Sequence, residues 1–221
     1  MAERPGLTRS LPFLLFIGIM ALDPLLRPLL PSGLDGQWLY GLRSALALAV
    51  LLAFWKHYAE LKSPSPASVS DWAMGLGIGI AVFVLWINLD FKPLALASTG
   101  GFDPGPGTVP DWGLVVVRLA GATLLVPVME ELFWRSFILR WLQHPKFLSV
   151  DPAGVGARAL VLSSVLFATE HRLWFAGLLA GLAYGWLYKR SGNLWVPIVS
   201  HAITNALLGA YVLRTGAWGF W

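Results

Sequence analysis

Long apolar runs separated by short polar stretches make up most of this chain. Apolar positions within the runs do not alternate with a period of two, and a membrane-spanning segment must satisfy its backbone hydrogen bonds internally, so helices are predicted. The pattern therefore predicts an all-α, polytopic transmembrane helix bundle with about seven to eight membrane segments. The well-delimited segments are residues 11–30, 38–55, 72–89, 112–141, 157–171, 174–188 and 194–213.

Prolines and glycines modify this pattern. Pro24 is expected to break the first segment and Pro127 to kink the fourth, because proline lacks an N–H group and clashes with the preceding turn. Residues 93–110 are rich in glycine and proline and show no helical pattern, which predicts a loop. We expect one integral-membrane domain over residues 1–221, with the chemistry in residues 112–213.

Glycine spacing predicts where helices approach each other closely. Small residues at regular spacing on a membrane helix let a neighbouring backbone come near. Two such sets occur, namely Gly75, Gly77 and Gly79, and Gly177, Gly181 and Gly185.

Composition supports a membrane protein and excludes several kinds of site. Charged residues make up 13% of the 221 residues, compared with about 25% in soluble domains, and mean hydropathy is +0.66. The chain has no cysteine, which excludes disulfides, thiolate nucleophiles and cysteine-based metal sites. No basic stripe interleaved with aromatic residues is present, so the net charge of +4 indicates basic loops and no nucleic-acid partner.

The distribution of charge predicts an orientation. Basic residues cluster at the N-terminus and after the second, fourth and sixth segments, whereas the loop 93–110 is flanked by Asp90 and Asp111. Because cytoplasmic loops carry an excess of Lys and Arg, we expect an integral protein of the plasma (inner) membrane with a cytoplasmic N-terminus. Residues 11–22 lack a convincing cleavage site, so we expect an uncleaved first span.

Three short polar motifs lie within otherwise apolar segments. An ionisable side chain at membrane depth costs about 2.5–3.5 kcal/mol on insertion scales and usually faces a cavity or a partner. Helix lengths place the three motifs at a similar depth below the cytoplasmic surface, with Glu130 about 16 Å from the helix end at Trp141. They therefore predict one buried polar site. The motifs are Glu130-Glu131-x-x-x-Arg135, Phe167-x-x-x-His171 and His201-x-x-x-Asn205.

The first motif has a structural and a functional interpretation. Glu131 and Arg135 are four residues apart on a helix and can form an ion pair. Glu130 is rotated about 100° from Glu131 and has no local partner. Two adjacent glutamates in an apolar helix favour a functional interpretation, because an ion pair explains only one of them.

The two histidine motifs are less specific when each is taken alone. His171 can be a satisfied core residue, and Glu170 is expected to point away from it along the helix. His201 and Asn205 share one helix face and could join helices through hydrogen bonds worth roughly 0.6–2 kcal/mol. The common depth of the motifs favours one site over these separate structural roles.

These residue types suit hydrolysis by an activated water. Glu130 could be the general base, and His171 could hold the water or share its proton. His201 and Asn205 could stabilise an oxyanion. Alternatively, Glu130, His171 and His201 could bind Zn²⁺ with one open position, with Glu131 as the base. The residue types alone leave both alternatives open.

Taken in order, the three motifs resemble the type II CAAX prenyl endopeptidases and their bacterial relatives, the CPBP or ABI family of intramembrane proteases. The stretch from Gly185 through Leu194 to Ile198 is similar to the family's link into its last motif. The resemblance covers roughly the C-terminal half of the chain. Residues 126–135 look closest to members linked to bacterial exosortase systems.

The resemblance implies roles for these residues. Glu130 would activate the water with help from His171, and His201 and Asn205 would form the oxyanion site. It also implies a membrane-associated peptide or protein substrate, with no cofactor favoured and Zn²⁺ as the alternative. The prenylated substrate of eukaryotic members does not carry over. The supporting residues would be Glu131 and Arg135.

Three functions compete at this stage. The first is an intramembrane endopeptidase that acts near the cytoplasmic membrane face. The second is a non-catalytic membrane scaffold or immunity-type protein of the same fold. The third is a proton- or ion-coupled transporter, which should show repeat symmetry that the sequence lacks.

Overall fold

Helices account for most of the chain, as the apolar runs predict. A computed structural model describes residues 4–31, 36–96 and 111–221, and these residues contain helices and turns but no strand. The all-α, polytopic fold class is therefore confirmed. The helices are α1 (Pro5–Leu26), α2 (Leu39–Ala53), α3 (Ala59–Lys62), α4 (Val69–Asn88), α5 (Trp112–Ala120), α6 (Val126–Glu131), α7 (Ala157–Ala168), α8 (Trp174–Ser191) and α9 (Trp195–Thr215).

Five stretches of the described residues are long and apolar enough to cross a membrane. Large apolar side chains on them are exposed, including Leu124 and Val116, as lipid-facing positions require. The helix α7 has 12 residues and is about 18 Å long, which is shorter than the hydrocarbon core of about 30 Å. The five stretches are Pro5–Leu29, Gly36–Ala53, Val69–Asn88, Trp112–Leu139 and Trp195–Thr215.

The helix that carries the first motif changes its winding twice. A π-helical segment, Gly121–Leu125, follows α5, and a second, Leu132–Leu139, follows α6. Pro127 lies in the first turn of α6, where the hydrogen-bonding register has just changed, so its missing N–H is accommodated there. Short π-helical segments are rare and frequently occur at functional sites.

Two helix ends differ from the sequence-based expectation. The predicted break at Pro24 is wrong, because α1 continues through it and the Arg27 N–H bonds to the Asp23 carbonyl at the helix end. Proline is tolerated in membrane helices, particularly near an end, where few backbone bonds are lost. The helix α7 ends at Ala168, so His171 lies in the following turn. Of the predicted loop 93–110, residues 97–110 lie outside the described residues.

Glycines bring helices together around the motifs, as their spacing predicts. A Cβ atom on Gly181 of α8 would lie 2.9 Å from the Cα atom of Ser164 on α7. A Cβ atom on Gly79 of α4 would lie 2.5 Å from the Ser200 carbonyl oxygen on α9. Only Gly77 departs from the prediction, because it faces open space. The helices that carry the second and third motifs are therefore held at backbone contact with their neighbours.

The two ends of the bundle are fixed by different ion pairs. The basic end consists of residues 54–68, 140–156 and 189–194, and the opposite end of residues 89–96, 169–173 and 216–221. At the basic end, two nitrogens of Arg9 donate to the two oxygens of Glu60, each at 2.7 Å. At the opposite end, Arg172 pairs with Asp90 at 2.7 Å.

Candidate active site

A fully buried glutamate links the first and third motifs. Glu131 Oε2 lies 3.0 Å from Arg135 Nε, and Glu131 Oε1 lies 3.0 Å from His201 Nδ1. The ion pair predicted from the spacing is thus present, whereas the contact with His201 was not predicted. Because a carboxylate oxygen accepts, His201 Nδ1 carries the hydrogen of this bond, and Nε2 stays outside the network.

Aromatic rings pack against both partners of Glu131. The Arg135 guanidinium lies 4.4 Å from the centre of the Phe167 ring. The His201 ring stacks on Tyr184, with centroids 5.0 Å apart, and the Tyr184 hydroxyl is hydrogen-bonded to Thr204. These contacts hold the imidazole in one orientation.

Glu130 lies in a second cluster, apart from this network. Its side chain is 7% exposed, and Oε2 is buried without a hydrogen-bond partner among the described residues. One potential ligand atom of each of Glu130, Glu170 and His171 lies within 4.8 Å of the others. The first two motifs therefore meet at Glu130.

His171 has a defined orientation. Its Nδ1 atom is 2.9 Å from the Phe167 carbonyl oxygen, and a carbonyl only accepts, so Nδ1 carries the hydrogen. The Nε2 atom then has a free lone pair. The ring packs edge-on against Trp86, with centroids 5.3 Å apart.

Glu170 belongs to this cluster, and the expectation that it points away from His171 is wrong. That expectation assumed helical geometry, but α7 ends before these residues. Glu170 Oε1 accepts a 2.9 Å hydrogen bond from the Trp134 indole. The signal that could have found it was present, because Glu170 is also an ionisable residue beside an apolar segment.

Asn205 joins the third motif to a π-helical segment. Its Nδ2 atom donates a 2.7 Å hydrogen bond to the Ala122 carbonyl oxygen, which lies in Gly121–Leu125. This bond uses one of the two amide hydrogens and fixes the plane of the side chain.

The polar groups share a cavity with a volume of about 250 Å³. Glu130, Glu170, His171, His201 and Asn205 all line it. The other lining residues extend toward the opposite end as far as Phe220, and none comes from the loops of the basic end. The cavity therefore extends toward the opposite end, whereas the sequence-based expectation placed the site toward the basic end. Helix lengths indicate depth, but they do not indicate which end a cavity faces.

The cluster around Glu130 also has the ligand types of a zinc site. Two carboxylates and an imidazole fit three protein ligands with one open position. Among the described residues, the potential ligand atoms that lie within 4.8 Å of one another belong to Glu130, Glu170 and His171, so Glu170 stands in the place predicted for His201. A zinc ion held by Glu130, Glu170 and His171 would supply a polarised water.

The family comparison covers the part of the chain that builds this cavity's polar wall. The model of the type II CAAX prenyl endopeptidase Rce1-like family matches residues 112–207. Over these residues the chain is similar to the Rce1-like family. The Rce1-like segment begins at α5 and includes Asn205, so all three motifs lie within it. No curated protein and no solved structure matches the chain. This similarity and the apolar helices support an integral-membrane, CAAX-type protease, and the exosortase resemblance stays a prediction.

Proposed function

We propose that this protein is an intramembrane endopeptidase that hydrolyses a peptide bond with a water activated by Glu130. The observation that carries the proposal is the buried Oε2 atom of Glu130, which has no described partner and lies in a cavity with two histidines and an asparagine. A carboxylate in this position can accept a proton from a water between it and the substrate.

The cluster around Glu130 supports the attack step. The lone pair on His171 Nε2 can accept a hydrogen bond from the attacking water and so orient it. The water oxygen attacks the carbonyl carbon while its proton moves to Glu130. Glu170 lies close enough to share that proton. Sharing is favoured because two neighbouring buried carboxylates do not both ionise readily.

The third motif supports the tetrahedral intermediate. The second Nδ2 hydrogen of Asn205 can donate to the oxyanion, and so can Nε2–H of a protonated His201. The Glu131 carboxylate stabilises that imidazolium through Nδ1–H, and Arg135 orients Glu131. Collapse of the intermediate breaks the C–N bond, and Glu130 returns the proton to the leaving amine.

Glutamate-activated water is the mechanism we propose, with zinc as the alternative. In the alternative, Glu130, Glu170 and His171 would hold the ion, and His201 and Asn205 would keep their role at the oxyanion. Activity that survives removal of divalent metals by a chelator would support the first mechanism. Loss of activity that Zn²⁺ restores would support the second.

The orientation is part of the proposal. The basic end and the N-terminus lie in the cytoplasm of a cell with a plasma (inner) membrane, because Lys and Arg concentrate there. The cavity then extends from mid-membrane toward the other side. This placement replaces the sequence-based expectation of a cut near the cytoplasmic face.

The test uses the purified full-length protein in lipid nanodiscs and two internally quenched peptides, with and without a farnesylated cysteine. The wild type is expected to cleave at least one peptide and to incorporate ¹⁸O from water into the new carboxylate. Glu130→Gln should lower the rate by about 10²–10⁴-fold. Glu60→Gln is the matched control, because Glu60 is also a largely buried glutamate but lies outside the cavity. Equal rates for wild type and Glu130→Gln, or no cleavage of either peptide, would reject the endopeptidase and favour the scaffold.

A further inference from the structure

Two arginines line the same cavity at a distance from Glu130. Arg43 on α2 and Arg118 on α5 both belong to its wall. Their guanidinium groups contact one aromatic ring, because they lie 4.8 Å and 4.3 Å from the centre of the Tyr40 ring. Two positive charges thus meet beside a cavity whose other polar groups lie deeper.

The environment of Arg43 is unusual for a buried cation. The residue is 8% exposed, and its guanidinium also lies 4.6 Å above Phe16. It forms no ion pair or hydrogen bond with the described residues, and its Nε atom is buried without a partner there. The acidic side chain of Asp23 on α1 is paired with Arg27. Buried charges are normally paired, so Arg43 lacks an anion among the residues that the structure describes.

Contact with lipid headgroups does not account for Arg43. An arginine that reaches for the membrane surface keeps its guanidinium exposed and buries only its aliphatic stem. Here the guanidinium itself is enclosed between Phe16 and Tyr40 and borders the cavity.

The distance between the arginines and Glu130 corresponds to a definite number of residues in an extended peptide. Glu130 follows Arg118 by twelve residues on one continuous helix, which corresponds to roughly 18 Å along its axis. An extended peptide covers about 3.3 Å per residue, so about five residues bridge the two points. A peptide lying along the cavity would therefore place one end at the arginines and a backbone carbonyl at Glu130.

We propose that Arg43 and Arg118 form a carboxylate-binding subsite that selects peptides with a carboxylate about five residues from the scissile bond. The proposal rests on the proposed function, since a peptide is the ligand. Guanidinium groups bind carboxylates through paired hydrogen bonds, and the low dielectric of the cavity strengthens those bonds. The carboxylate is either the peptide's C-terminus or an acidic side chain.

The test measures binding, so it does not depend on turnover. A fluorescent apolar octapeptide is used in three forms, namely with a C-terminal carboxylate, with a C-terminal amide, and with a C-terminal amide and Asp as the last residue. Each is titrated into full-length Glu130→Gln protein in nanodiscs and followed by fluorescence anisotropy. The free acid is expected to bind at least about tenfold more tightly than the plain amide. Tight binding of the Asp form as well would extend the subsite to acidic side chains.

Substitutions then locate the subsite. Arg43→Gln should remove the preference for the acid over the amide, and Arg43→Lys should keep part of it because the charge remains. The matched control is Arg214→Gln, which removes an exposed positive charge near the opposite end without touching the cavity. If Arg43→Gln fails to fold, the acid preference of Arg43→Lys is compared with that of the protein that keeps Arg43.

Three results would overturn the subsite. The first is equal binding of the acid and amide forms. The second is an acid preference that persists in both Arg43→Gln and Arg118→Gln. The third is that phosphatidate in the nanodisc displaces the acid peptide while the acid and amide peptides bind equally well. That result would assign the arginines to a lipid phosphate. Acid-selective binding without any hydrolysis by wild type would support the subsite while rejecting the endopeptidase.

Discussion

Replacement of Glu131 by glutamine tests the buried network most directly. The substitution keeps the shape of the side chain but removes the charge that faces Arg135 and His201, each at 3.0 Å. Arg135 would then be a buried cation without an anion, because its terminal nitrogens have no hydrogen-bond partner among the described residues. We expect a large loss of stability together with a loss of activity.

The magnitude follows from the geometry. Two unit charges 3.0 Å apart interact by about 5 kcal/mol at an effective dielectric constant of 20. Breaking a buried pair by removing one partner typically costs about 3–5 kcal/mol. In addition, His201 loses the carboxylate that orients it, and in the proposed mechanism the loss of one oxyanion donor lowers kcat by about 10²–10³-fold.

Equilibrium unfolding in mixed micelles measures the first effect, and peptide cleavage measures the second. Glu170→Gln is the matched control, because its oxygen can still accept the hydrogen bond from Trp134 and it forms no ion pair with Arg135. Its stability should stay within about 1 kcal/mol of wild type. A double variant, Glu131→Gln with Arg135→Met, should lose less stability than the sum of the single variants.

A Glu131→Gln protein as stable as wild type would refute this reasoning. The same conclusion would follow from strict additivity in the double variant, since additivity means that the two side chains do not interact.

Three further predictions concern orientation, packing and pH. In intact cells, a membrane-impermeant maleimide added outside should label Arg214→Cys and not Lys62→Cys, since Lys62 lies at the basic end. Gly181→Val should destabilise the protein by about 1–3 kcal/mol in an unfolding titration, because its Cβ atom would meet Ser164. Burial raises the pKa of Glu60, but the hydrogen bonds and charge of Arg9, together with the hydrogen bond from Ser136, outweigh burial and leave the pKa below its usual value. The stability from this group is therefore present above its unfolded pKa of about 4.5 and is lost as pH falls further, which a pH series of unfolding midpoints measures.

Each of these experiments has an internal control. The chain has no native cysteine, so the unsubstituted protein should not label, and labelling of Lys62→Cys in intact cells would reverse the orientation. Gly154→Ala should be neutral, because no atom lies within 4 Å of the added Cβ, and equal stability of Gly181→Val would contradict the close helix contact. Glu60→Gln should make the unfolding midpoint depend less on pH. If the loss of stability at low pH were unchanged in this variant, the ion pair of Glu60 would be excluded as its cause.

The sequence predicted the features that depend on local spacing. The seven apolar segments are helical as predicted, but five stretches of the described residues, compared with the predicted seven to eight, are long and apolar enough to cross a membrane. The ion pair between Glu131 and Arg135 and the glycine contact at Gly181 follow from helical periodicity. What it missed depends on three-dimensional arrangement. Glu170 lies in the cluster because α7 ends three residues before the end of the apolar run. His201 contacts Glu131, although the two residues are 70 positions apart in the sequence.

The direction of the cavity could not be predicted for a related reason. Counting residues from Trp141 gave the depth of Glu130, but the loops that close the basic end are joined by Arg9 and Glu60, which are 51 positions apart. No local pattern encodes such a pairing. The arginines Arg43 and Arg118 were missed as well, because each alone resembles an ordinary basic residue near a helix end.

The π-helical segment Gly121–Leu125 makes the position of Glu130 depend on how this part of the helix is wound. A widened turn is equivalent to one extra residue in an α-helix, and each residue of an α-helix turns the chain by about 100°. Rewinding this segment as ordinary α-helix with the number of residues unchanged would rotate Glu130 by about 100° relative to Arg118 and the rest of α5. It would also withdraw the Ala122 carbonyl from Asn205. A change of winding here would therefore change the arrangement of the active site, although no residue of the three motifs is altered.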